Sequence, residues 1–531
     1  LPVSRAAVPY AELRAALPGA RGPARSPSIA PYSELPPRAA TRYALASQAL
    51  GLLLLACHVL LVKESIWLFP VAMVALAWLY ANAPLVGLAV YFQILLYQNL
   101  MISIFSPGMS YMPNFVALQG TNFIALAVMA AIALNRLLTP TWRARVGGVV
   151  LTVLVALAAT AFYTLIGAAK EGLTSAMVYF REFTSPAFAV LVGLDVGRRW
   201  GYRTVGLCLL TGAVLAVVLG VVEYCVPIEY YSLTNAVSFM RLKWFAQPEG
   251  NAFYVPQDIV RHYTGVLFNI TGGDTGYGSL TSFRFGGPIE NPISYAYVLA
   301  VAGLVGMSLR RSGWLVAVLP LLVLIGVKGA GLVVAFSLVL WVVWQASRSK
   351  PVLLASGVAL TVAYTGYGIV NGLSNNDFHV IGFLGGVHGL LANPIGHGIG
   401  VGGNLSANAN AGFKWTGAGG FMSTGADFTV ESAVGVLIYQ MGLASITVFA
   451  VFVALLRAAP IGRAVIRNGV ARMTTRRQDV LFLAMAMVVV NGIFQEEAYA
   501  PYAAGLLALL CGIVVTNGAR PSLLVPQPPG A

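Results

Sequence analysis

Two carboxylates stand where a long apolar run begins. In TGADFTVESAVGVLIYQMG, residues 424–442, Asp427 and Glu431 close a polar, glycine-rich stretch, and the residues after Ser432 are largely apolar. A carboxylate so placed can take the proton of a hydroxyl as a new bond forms, worth about 10²–10⁴-fold in rate. It can also serve only as a helix cap, because negative charge is favourable at a helix N-terminus. Asp427 would orient an acceptor or raise the proton affinity of Glu431 by like-charge repulsion.

Three basic residues lie in or beside apolar segments: Arg181 in MVYFREFTSPAF, Arg284 in TSFRFGGPIENPISYAYVL and Lys328 in LIGVKGAGLVV. Basic groups at membrane depth are costly and tend to face an interior cavity or pathway. If the three face one cavity, they suit a phosphate or diphosphate. Each also has a structural reading. Arg181 can pair with Glu182 or Glu171, Arg284 can clamp Glu290, and Lys328 can reach the interface. Arg261 and Lys414 are further substrate-binding candidates in long loops. The stretch LLANPIGHGIGVGGN, residues 390–404, has glycine at alternate positions and no following Lys-Ser/Thr, so it is not a P-loop. Its backbone is free either to approach a ligand or to form a tight re-entrant turn. His397 within it is a proton carrier or a hydrogen-bonded structural residue. Glu496 and Glu497, in NGIFQEEAYAPY, are secondary candidates for binding sugar hydroxyls or the cations.

The elements that must position these groups are membrane helices. The chain has 531 residues, 58% of them hydrophobic and 9% charged, with a mean hydropathy of +0.79; soluble domains carry about 25% charged residues. About 20 apolar residues span the hydrocarbon core. On that measure the chain reads as all-α and polytopic with about fourteen spans, near 43–62, 66–80, 83–105, 115–138, 146–166, 174–196, 205–227, 291–309, 314–327, 329–346, 352–370, 432–456, 480–494 and 501–517. Residues 1–42 are rich in Pro, Ala and Arg and lack an early apolar core, so a mobile cytoplasmic tail is expected in place of a cleavable signal peptide. Residues 43–517 form the membrane domain, and 518–531 a second cytoplasmic tail.

The positive-inside rule sets the orientation. With the N-terminus in the cytoplasm, 23 of the 32 Lys and Arg lie inside, but only Glu12, Glu34, Asp195 and Asp479 of the 18 acidic residues do. The net charge of +14 therefore follows the membrane topology, and no nucleic-acid partner is expected. Two long loops, about 228–290 and 371–430, fall outside, and Glu431 ends the second. Their Gly, Asn and aromatic content suits carbohydrate. Cys57, Cys208, Cys225 and Cys511 all lie in apolar runs without metal-ligand spacing, so no metal site is expected.

Across residues 170–515 the chain resembles the O-antigen ligase and Wzy-type polysaccharide polymerase superfamily. The resemblance rests on three motifs in order: RFGGPIENPISYAYVLA, NPIGHGIGVGG and ESAVGVLIYQMGLASI, with YFREFTSPAFAVLVG as a further Arg-and-Pro segment. It implies a GT-C-like membrane glycosyltransferase with a periplasmic active site in the bacterial inner membrane. Such an enzyme uses an undecaprenyl-diphosphate-linked oligosaccharide as donor and a lipid-linked repeat unit as acceptor, with no nucleotide or metal cofactor. A chain-length regulator and a flippase are the pathway partners it implies. Ligases carry His at the position matching Glu431, so the glutamate points to an exopolysaccharide, capsule or O-antigen polymerase. A lipid A–core ligase or protein O-oligosaccharyltransferase is the next reading. A lipid-linked oligosaccharide flippase is the non-enzyme reading, though no internal repeat is present. The expected site has Glu431 as base, with Arg284, Arg181 and Lys328 on the diphosphate.

Overall fold

A computed structural model describes residues 37–109, 112–245, 252–269, 279–374, 377–403, 405, 431–461, 464–467, 470–473 and 477–518. Asp427 and Lys414 lie outside these residues, as do most of the N-terminal tail and all of 519–531.

In chain order the helices are α1 (Pro37–Glu64), α2 (Leu68–Asn82), α3 (Pro84–Phe105), α4 (Met112–Leu137), α5 (Pro140–Glu171), α6 (Leu173–Gly197) and α7 (Tyr202–Cys225). Three short helices follow, α8 (Pro227–Leu233), α9 (Ala236–Lys243) and α10 (Pro256–Tyr263). Next come α11 (Pro292–Ser308), α12 (Gly313–Ile325), α13 (Lys328–Ser347), α14 (Lys350–Ser374) and α15 (Phe378–Ala392). The series ends with α16 (Ala433–Met441), α17 (Ile446–Ala458), α18 (Asp479–Asn491) and α19 (Leu506–Gly518). Two antiparallel hairpins interrupt it, β1 (Thr264–Asn269) with β2 (Ser279–Phe283) and β3 (Ala464–Arg467) with β4 (Val470–Met473).

Local chemistry marks the boundaries. Proline opens α3, α5 and α11, where its missing N–H is no loss. Gly172, at φ +90°, turns the chain between α5 and α6. Each of the fourteen expected spans falls on helix. Among the described residues, nine helices are long and apolar enough to cross a membrane; α2, α11, α12, α15 and α18 are shorter apolar helices. The chain is thus an all-α polytopic membrane protein. Two features differ from expectation. The second long loop contains a helix, α15, packed on α16. The expected span 432–456 is present as one apolar stretch, Ala433–Ala458, but its α-helix is interrupted at Gly442, whose φ of +55° ends α16 and starts a 3-10 turn into α17.

The helix ends gather at two poles. At one, Asp195 of α6 takes Arg136 of α4 at 2.9 Å and Arg198 at 3.4 Å, and Tyr80 of α2 donates to it at 3.0 Å. Asn517 of α19 donates to the Gly197 carbonyl at 2.8 Å, and Trp344 of α13 to Asp479 of α18 at 2.9 Å. We call this the arginine-rich pole. At the opposite loop pole Lys63 donates to the Pro107 carbonyl, and Lys170 to that of His397, both at 2.7 Å. The central helices α3 and α11 are buried almost throughout. At the rim, only Gly372 of α14 is buried.

Candidate functional site

Glu431 lies at the loop pole, immediately before α16. Ser432, not Glu431, caps that helix: the Gly435 N–H donates to Ser432 Oγ at 2.9 Å, and the same hydroxyl donates to the Ile493 carbonyl at 2.6 Å. The cap thus ties α16 to the end of α18 and leaves the Glu431 carboxylate without a capping duty. Glu431 Oε2 lies 3.6 Å from His379 Nδ1, which is also 3.0 Å from the Glu431 carbonyl oxygen. Asp377 caps α15 by accepting the His379 N–H at 2.9 Å, which sets the imidazole on the first turn facing Glu431. The Glu431 and His379 side chains keep 29% and 35% of their surface exposed, so water reaches both.

Two further carboxylates follow α18. Glu496 and Glu497, in the 3-10 turn Glu496–Tyr499, act electrostatically on each other and on Glu431, and Glu497 also on His379. Tyr179 of α6 donates to Glu496 Oε1 at 2.9 Å and accepts the Leu405 N–H at 3.0 Å. One turn on, Glu182 is buried within the field of Glu496 and Glu497. Below them a polar seam crosses the apolar bundle: Tyr364 donates to Asn491 Oδ1 at 3.1 Å, and Asn491 donates to the Tyr297 hydroxyl.

The cations divide. Arg181 flanks Glu182 and acts on Tyr502. Lys328 opens α13 with its side chain exposed. The next residue, Gly329, is pressed so closely on Tyr297, Asn491 and Gln495 that a Cβ there would lie within 3.0 Å of each. The backbone of Lys328 is therefore held beside the Gln495–Glu497 turn. Arg284 belongs to the hairpin. Its guanidinium crosses Gly265, and the Arg284 backbone N–H donates to the Tyr263 carbonyl at 3.0 Å. Ser282, two residues earlier, donates to the Leu324 carbonyl at 3.2 Å and seats the hairpin on the end of α12. Glu290, expected as the partner of Arg284, is buried with φ +52° and has Lys243 as its cationic neighbour. Burial holds the Glu290 carboxyl well above the ordinary range. Arg261 is exposed on α10, one turn from Asp258, whose carboxylate is held below its usual range by the N–H groups of Val255 and Tyr254.

The alternating glycines form a strap. Ile399 N–H donates to the Tyr163 carbonyl at 2.9 Å, and Gly398 N–H to that of Gln440 at 2.9 Å. Gln440 Nε2 donates to the Gly402 carbonyl at 2.9 Å. Gly396, Gly398, Gly400, Gly402 and Gly403 all have positive φ, and Cβ atoms at the first three would run into backbone of α16, α5 and α6 respectively. Here glycine is required by close packing against helices. His397 is stacked on Tyr439 at 4.1 Å and 11°, with Nδ1 at 3.0 Å from the Tyr439 carbonyl oxygen. Tyr439 is eight residues past Glu431, about 12 Å along a helix. His397 is thereby engaged as a structural residue of the strap.

The structure thus gathers Glu431, Glu496, Glu497, Arg181 and the start of α13 at Lys328 around one turn. It adds His379, which the sequence reading did not single out. The available signal was the acidic cap Asp377 two residues before a histidine that opens an apolar run. No protein-family model, curated protein or solved structure matches the chain.

Proposed function

We propose that the chain is a membrane-embedded glycosyltransferase that moves a glycan from a lipid diphosphate to a sugar hydroxyl, building polysaccharide from lipid-linked repeat units. The observation that carries this reading is the cluster of Glu431, His379, Glu496 and Glu497 at one pole of an otherwise apolar bundle, partly exposed at every member but the buried Glu496. Three helices, α13, α15 and α16, begin around it. Helix N-termini carry partial positive charge and favour phosphate groups, and Lys328 and Arg181 add two full charges. We assign the loop pole to the periplasmic face of a bacterial inner membrane and the arginine-rich pole to the cytoplasm, in accord with the positive-inside rule.

In the proposed step the acceptor hydroxyl oxygen attacks the anomeric carbon of the donor. Its proton passes to Glu431, and the bond from the anomeric carbon to the diphosphate oxygen breaks, with the electron pair leaving on undecaprenyl diphosphate. That leaving group requires charge stabilisation more than a proton. A single attack inverts the anomeric centre. His379 holds the Glu431 carboxylate in place, and Glu497 accepts hydrogen bonds from sugar hydroxyls, with the buried Glu496 tied to Tyr179 behind it.

His379 also supports a second reading. It brings an imidazole to the Glu431 position, where the ligases that the chain resembles carry histidine, so a ligase delivering finished polysaccharide to another acceptor has the same groups available. One experiment separates these. Glu431→Gln, in polymer-producing cells with normal membrane levels of the variant, should abolish product. Single repeat units accumulating on the lipid carrier at the periplasmic leaflet mean a polymerase, and long chains on the carrier mean a ligase. Single units confined to the cytoplasmic leaflet mean a flippase. Normal product removes Glu431 from the chemistry.

A further inference from the structure

The arginine-rich half of the bundle contains a cleft lined by none of the residues of the site above. Helix α14 packs along α13 and meets α18 through a small satellite cluster, in which Leu340, Leu483 and Met487 touch Leu353 and Leu360. Beside that cluster a cavity of about 590 Å³ opens between α14, α17 and α18. Its walls are apolar, including Leu354, Val358, Phe482 and Val490, with Thr361 as an uncharged polar exception. Two cations also line it, Lys350 at the start of α14 and Arg457 at the end of α17. Both are exposed, and both belong to the arginine-rich pole.

From Lys350 to Val362 the cleft runs twelve residues of helix, about 18 Å. That is close to half of a ~30 Å hydrocarbon core, the depth of one leaflet. An apolar slot one leaflet deep with positive charge only at its interfacial end matches a single amphiphile with an anionic head. We propose that this cleft binds one anionic phospholipid of the cytoplasmic leaflet, its acyl chains between α14 and α18 and its phosphate between Lys350 and Arg457. The lipid-diphosphate donor does not fit this orientation, because its head group belongs at the opposite pole. The lipid wedges α14 against the bundle. Since the Asp377 N–H donates to the Gly372 carbonyl of α14 at 2.9 Å, the lipid also steadies the wall of the candidate site.

The test uses the full-length protein in detergent with phosphatidylglycerol and phosphatidylethanolamine as probes, read by native mass spectrometry. The wild type should retain one phosphatidylglycerol in preference to phosphatidylethanolamine. Lys350→Gln with Arg457→Gln should lower that preference by about 20- to 30-fold, taking about 1 kcal/mol per basic group. These positions are exposed, so folding should be unaffected, as checked by thermal unfolding. A photoreactive group midway along the acyl chain should label residues 353–362 and 483–490. Equal retention of the two lipids, a preference unchanged in the double variant, or labelling spread evenly around the bundle would each overturn the proposal. So would displacement of the lipid by a polyprenyl diphosphate at equal concentration.

Discussion

The two poles each hold a carboxylate of similar chemistry in opposite circumstances. Asp195 is 1% exposed and satisfied by Arg136, Arg198 and Tyr80 from three directions. Arg136 itself reaches back to the Ala81 carbonyl, and Arg198 to that of Arg136, so helices α2, α4 and α6 are locked at one point. Glu431 is 29% exposed, stands 3.6 Å from an imidazole and has the carboxyl groups of Glu496 and Glu497 as neighbours. The lesson lies in satisfaction: a carboxylate with all its partners in place has no capacity left for a substrate, whereas one with open acceptor sites facing water does. Asp195 is built for stability, and Glu431 for exchange.

Substitutions at the two poles test that contrast. The largest effect is expected at Glu431→Gln, a loss of about 10²–10⁴-fold in glycan transfer by purified protein with unchanged thermal unfolding. Asp195→Asn should do the reverse. Removing one partner from a buried ion pair costs about 3–5 kcal/mol, so denaturation in detergent should move sharply while transfer per folded molecule stays the same. If Glu431→Gln unfolds the protein or Asp195→Asn silences the folded fraction, the contrast is broken. Ser432→Ala removes a helix cap worth about 1 kcal/mol and the tie to Ile493, so it should lower both stability and transfer and place the cap between the two extremes. His397→Phe keeps the stack on Tyr439 but loses the Nδ1 hydrogen bond, so it should lower stability by about 0.5–1.5 kcal/mol with transfer rates intact; a large loss of transfer would return His397 to the chemistry.

The spans expected from the sequence were legible because each is a long apolar run bounded by Pro, Gly or charge. The break at Gly442 was not, because a helix buried on all sides shows no apolar periodicity to interrupt. Helix α15 was concealed by glycines in VIGFLGGVHGLLA, which read as loop residues in isolation but allow close contact: a Cβ on Gly386 would strike the backbone of Gly435, and one on Gly389 the ring of Tyr439. His379 was missed for a related reason. It meets Glu431 across 52 residues of sequence, and no local pattern reports such a contact. Glu431 was legible as the charge at a polar–apolar join. The alternating glycines were also visible, but sequence alone left both a ligand approach and a tight turn open, and the packing against α5, α6 and α16 supports the turn.

The strap at 393–403 also bears on the order in which the molecule is made. Its partners Tyr163 and Lys170 leave the ribosome more than 220 residues before it, and Gln440 some 40 residues after it. The Asp195 lock, by contrast, is complete once Arg198 has emerged, with its partners confined to residues 80–198. The Asp195 lock can therefore set while most of the chain is unsynthesised, with Asp479 and Asn517 joining that pole later, but the loop pole closes only when α16 and the Glu496–Glu497 turn arrive. Assembly by late, long-range contacts is slow, and it makes a functional loop pole the mark of a finished chain: a nascent or truncated product has a frame without a working end.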